Sequence, residues 1–133
     1  MGLIIKTQEV RPRNFMVTLD GRLDTLTYAQ LDSTLKMIFL SPVQSLQLDF
    51  GLLSYISSMG LRSIMMAAKQ ARAKGVRLTV VRPQPQVLAV LEIGRALPTE
   101  SVFASVAEAD RYLDHIQKEE LAKQGGNEPS IQF

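Results

Sequence analysis

The chain has 133 residues, 46% of them hydrophobic and 21% charged, which suits one packed domain and excludes a disordered chain. With no cysteine there is no disulfide or thiol chemistry, and a net charge of +2 from basic residues spread along the chain gives no nucleic-acid footprint. No apolar run reaches bilayer-spanning length, and Met1 to Lys6 lacks the layout of a secretory signal, so the expected location is the cytoplasm, with no membrane insertion.

Leu3 to Val10 reads as a first strand, Arg11 to Asn14 as a turn, and Phe15 to Leu19 as a second strand closed by Asp20-Gly21, together a hairpin. Thr27 and Gln30 have capping-box spacing, so a helix is expected to start there and to carry Leu31, Leu35 and Ile38 inward until Ser41-Pro42 ends it. From Ser45, Leu46, Leu48 and Phe50 alternate with Gln47 and Asp49, the period of a half-buried strand, which Gly51 is expected to break. From Leu61 the period changes: Leu61, Ile64, Met65, Ala68 and Ala71 fall at helical spacing, and Gly75 follows Lys74 where a C-cap glycine belongs. Val76 to Val81 is a β-branched strand stopped by Pro83 and Pro85. A short helix over Gln86 to Ile93 follows, then a short strand at Val102-Phe103. Ser105 and Glu108 form a second capping box, opening a helix that carries Val106, Ala109, Leu113 and Ile116. The expected pattern is β-β-α-β-α-β-α-β-α, a single α/β domain over 1–124 with a mixed, mostly parallel sheet and a disordered tail over 125–133.

Catalytic machinery is thin. His115 is the only histidine and reads as a surface residue. No metal site is expected without cysteines and with one histidine, and no glycine-rich phosphate loop occurs, so no cofactor is expected. Asp24 reads as a turn or capping residue first and a functional carboxylate second. What remains is the pair Ser57-Ser58, at or just before the start of the central helix. Unpaired N–H groups and the helix dipole favour negative charge there. Ser is a favoured N-cap, so a structural cap is the first reading of the residues and a phosphorylation switch the second.

The run Leu46 to Arg62, Leu-Gln-Leu-Asp-Phe-Gly-Leu-Leu-Ser-Tyr-Ile-Ser-Ser-Met-Gly-Leu-Arg, resembles the signature of STAS domains, and specifically of bacterial anti-sigma factor antagonists. Leu19-Asp-Gly-Arg-Leu-Asp24 is similar to the family's segment before the first helix, and Phe103 to Ala109 to its last strand–helix junction. The resemblance implies a non-enzymatic module that binds an anti-sigma serine kinase of the GHKL type while unmodified and releases it when phosphorylated. It puts the phospho-acceptor at Ser58, with Ser57 as second choice. It puts the partner surface at Asp24, Leu53, Ser54, Tyr55, Ile56, Ser57, Ser58, Met59, Gly60 and Arg62. A phosphatase and a second copy of the chain are further partners in this scheme. The family also supplies accessory subunits of transporters and scaffold subunits of signalling complexes. A small enzyme with a Ser58 nucleophile is the remote alternative, and the lack of a credible base speaks against it.

Overall fold

The computed structural model describes residues 2–96, 106–123 and 130–133. Among these residues the strands are β1 (Leu3–Arg11), β2 (Asn14–Leu23), β3 (Ser45–Ile56), β4 (Arg77–Val81) and β5 (Ile131–Gln132). The helices are α1 (Tyr28–Phe39), α2 (Ser58–Lys74), α3 (Pro85–Ala96) and α4 (Val106–Lys123). The strands form one sheet in the order β1-β2-β3-β4-β5. β1 and β5 pair antiparallel with their neighbours, while β2–β3 and β3–β4 are parallel, so the sheet is mixed with its parallel pairs at the centre.

Period-2 alternation sends Val17 and Leu19 of β2, Leu46, Leu48 and Phe50 of β3, and Leu78 and Val80 of β4 to one face, where all are buried. Against them lie Leu31, Leu35 and Ile38 of α1 and Leu61, Ile64 and Ala68 of α2, at the helical spacing that the sequence displays. α2 closes as its sequence predicts, with Gly75 left-handed at φ 69° and its N–H turned back to the helix carbonyls.

Four expectations are corrected. Gly51 does not break β3, which runs on to Ile56 and pairs its second half with Asp20 to Leu23 of β2. A β-carbon on Gly51 would lie 2.6 Å from the guanidinium of Arg82, the flexible end of a side chain that lies over this glycine. Asp20-Gly21 is likewise inside β2, with Gly21 at φ 123° and its missing side chain leaving room for the carbonyl of Gly2. The Thr27–Gln30 box does not form. Thr27 Oγ1 donates to Arg22 O at 2.8 Å and accepts from Asp24 N at 2.9 Å, and Gln30 donates to Leu3 O at 2.8 Å. Finally, Ile131-Gln132, inside the stretch read as a tail, pair with Val80 and Thr79 of β4. The expected strand at Val102-Phe103, the cap Ser105 and the tail residues 125–129 lie outside the described residues.

Candidate functional site

The C-terminal ends of β2 and β3 converge on the start of α2. Ser57 N donates to Leu23 O at 2.9 Å, which ties the end of β3 to the end of β2. Ser57 is extended at φ −92°, ψ 177°, and its Oγ accepts the Gly60 N–H at 3.2 Å, so Ser57 is the N-cap. Gly60 is required by space: a β-carbon there would sit 2.6 Å from Leu23 O and 2.8 Å from Leu23 Cγ.

Ser58 is the first residue of α2 and is turned inward, 5% exposed. Its backbone N–H and its Oγ–H both donate to Asp110 Oδ1 of α4, at 2.8 and 2.9 Å. One helical face further along α4, the buried Gln117 accepts from Ile56 N at 3.0 Å and donates to Ile56 O at 3.1 Å. α4 therefore holds both the last residue of β3 and the first of α2. Neither Asp110 nor Gln117 was singled out in the sequence. The signal was present, since Asp110, Leu113 and Gln117 share a face by their i, i+3, i+7 spacing, and a Gln on an apolar stripe asks for backbone partners.

The resemblance-derived surface divides in two. Leu53 and Ile56 are fully buried, and Ser57 and Gly60 are closed off beneath the helix start. Ser54 and Arg62 are exposed, and Asp24, Tyr55 and Met59 are partly so. Arg22 stacks its guanidinium 3.9 Å above the Tyr55 ring and pairs with Asp24 at 3.5 Å. Burial pushes the Tyr55 phenol above its ordinary pKa, and the charges of Asp114 and Asp110 push it the same way against Arg22, so it stays a neutral hydroxyl. Asp24 Oδ1 accepts the Leu26 N–H at 3.0 Å, the turn role read from its sequence context.

His115 lies on the outer side of α4, 3.3 Å from Glu119. Among the described residues no group of three or more His, Asp or Glu side chains could hold a metal ion, and no helix is long and apolar enough to cross a membrane.

The family model of the STAS domain matches residues 6–109, and the chain belongs to that family. No curated protein matches it significantly in sequence. Its fold is similar to that of the anti-sigma factor antagonist SpoIIAA in the unphosphorylated form, with 22% identity over 68% of this chain and 84% of that one and a TM-score of 0.59. The phosphorylated form of SpoIIAA, a Bacillus cell fate determinant, gives 21% identity over 68% and 83% and a TM-score of 0.60. A sulfate transporter family protein from Wolinella succinogenes gives 14% identity over 84% and 93% and a TM-score of 0.55. At these identities the likeness is one of fold.

Proposed function

We propose that this STAS domain is a regulatory binding module of the anti-sigma factor antagonist type, switched by phosphorylation of Ser58. The observation that carries this reading is the division of labour in the serine pair. Ser57 caps α2, while the Ser58 hydroxyl donates to a carboxylate from another element. The exposed and half-exposed rim around it, Asp24, Ser54, Tyr55, Met59 and Arg62, is the docking surface for a serine kinase partner.

In the modification step the Ser58 oxygen attacks the γ-phosphorus of a nucleoside triphosphate held by the kinase. The new O–P bond forms as the bond to the β,γ-bridging oxygen breaks. The nucleoside diphosphate leaves, and the serine proton passes to a base of the kinase. The product adds about −1.5 to −2 charges at neutral pH to a surface that must be desolvated on docking, so binding is expected to weaken at least about tenfold.

The test is affinity purification from the native cell, then incubation with ATP and mapping of the modified residue in the wild type, Ser57→Ala and Ser58→Ala. A co-purifying kinase that modifies the first two and not the third supports the switch. Modification of Ser58→Ala, or of none, overturns it. The fold shared with a sulfate transporter family protein favours a second reading, an accessory module of a transporter, which recovery of membrane transport subunits with unmodified serines would support.

A further inference from the structure

We propose that α4 is a latch over the phospho-acceptor, and that a docked α4 and a phosphoryl group on Ser58 exclude each other. The proposal rests on the reading of Ser58 as the acceptor and adds the device that controls it.

α4 packs chiefly along α3, and it meets the site itself through one narrow stripe. Of its described side chains only Ala109, Leu113 and Gln117 are buried, while most of the rest of the helix faces solvent. Two polar clasps flank Leu113 on that stripe: Gln117 on Ile56, and Asp110 on Ser58. Asp110 acts as a cap supplied from another helix, since the Ser58 N–H is one of the orphan donors at the start of α2 and a carboxylate suits the positive end of that helix.

The same oxygen, Asp110 Oδ1, lies 2.9 Å from Ser58 Oγ, where a phosphoryl group would attach. A phosphoserine beside an aspartate is disruptive through like-charge repulsion and competes for the same N–H donor. With Ser58 only 5% exposed, the order of events is also set. The kinase meets Ser58 only after α4 has swung away, and the phosphate then holds the open state by removing the closed one from the equilibrium. The readout of modification is thereby the helix itself, whose inner face of Ala109, Leu113 and Gln117 is uncovered.

The experiment is amide hydrogen exchange on the full chain, with phosphoserine inserted at position 58 during translation so that no kinase is needed. We expect α4 amides over 106–123 to exchange at least about tenfold faster than in the unmodified chain, with β2, β3 and β4 unchanged. Asp110→Ala should release α4 in the same way without any phosphate, and protection of the three central strands shows that the variant is folded. Unaltered protection of α4 in the phosphoserine protein overturns the exclusion, and unaltered protection in Asp110→Ala overturns the latch. Because the phosphate is built in, the lack of a cellular kinase would sink the proposed function alone.

Discussion

A β-carbon would do different harm at the two glycines of α2, one in its first turn and one just past its end. At position 60 it would strike the carbonyl of Leu23 at 2.6 Å, whereas at position 75 it would meet nothing within 4 Å but would have to sit at φ 69°. The first is a demand for space and the second a demand for conformation, and two substitutions separate them. Gly75→Asn is expected to cost less than about 0.5 kcal/mol, because Asn tolerates the left-handed region. Gly60→Ala is expected to cost about 1–3 kcal/mol, because backbone rather than a flexible side chain must move. Urea unfolding of both variants checks this, and equal costs would mean that β2 does not approach α2 so closely. Capping separates the serines in the same way. Ser57→Ala should lose about 1 kcal/mol, since its Oγ holds the Gly60 N–H, and it should leave modification at Ser58 in place. A Ser57→Ala variant as stable as the wild type would show that its hydroxyl is not the cap.

β3 carries a charge whose partner stands just past the end of β4. Asp49 is 8% exposed in the middle of an apolar strand. Arg82 grips it with Nε and Nη2 at 3.1 and 2.8 Å, and Gly51 N donates to it at 2.9 Å. Burial alone would raise the Asp49 pKa, but the Arg82 hydrogen bonds, the Gly51 N–H and the Arg82 charge together outweigh it and hold the carboxyl below its ordinary 3.8. A carboxyl depressed in the folded state stabilises above its unfolded pKa, and that contribution fades as pH falls from about 3.8 through the lower folded value. Asp49→Asn should therefore destabilise the protein at pH 7 by about 1–3 kcal/mol and show a flatter loss of stability below pH 4. Unfolding midpoints across that range test it, and parallel curves for the two proteins would remove Asp49 from the acid transition. Periodicity made β1, the cores of β3 and α2, and the Gly75 stop legible, because those signals are local. The extension of β3 was not legible, because Gly51 carries the same letter whether it ends a strand or admits a guanidinium from residue 82. The site divided likewise: the serines stood out by their place at a helix start, whereas Asp110 and Gln117 reach the site from 52 and 61 residues further along.

At the scale of the whole molecule, the C-terminal third closes over what the first two thirds build. α4 packs against α3 and α2 and holds the end of β3 through Gln117, and β5 returns to the sheet edge beside β4. Composition predicts a dispensable tail, since Gly125-Gly126 and Pro129 leave only Ile131 and Phe133 as apolar anchors. Those two anchors dock. Ile131 is 8% exposed opposite Val80, Phe133 packs against the core, and its N–H donates to Leu78 O at 3.3 Å. Docking also covers the outer edge of β4, whose free N–H and C=O groups would otherwise be open to pairing with another chain. Burying an isoleucine contributes about 1.5–3 kcal/mol when complete, and ordering the strand offsets part of it. Removing residues 125–133 is therefore expected to cost more than about 1 kcal/mol in urea unfolding and to raise self-association through the bared β4 edge. Ile131→Asp in the full chain should reproduce the loss of stability, because it places a charge in the same contact while keeping the chain length. If truncation and substitution both leave the unfolding midpoint and the sedimentation behaviour of the chain unchanged, β5 contributes nothing to the fold, and the domain ends with α4.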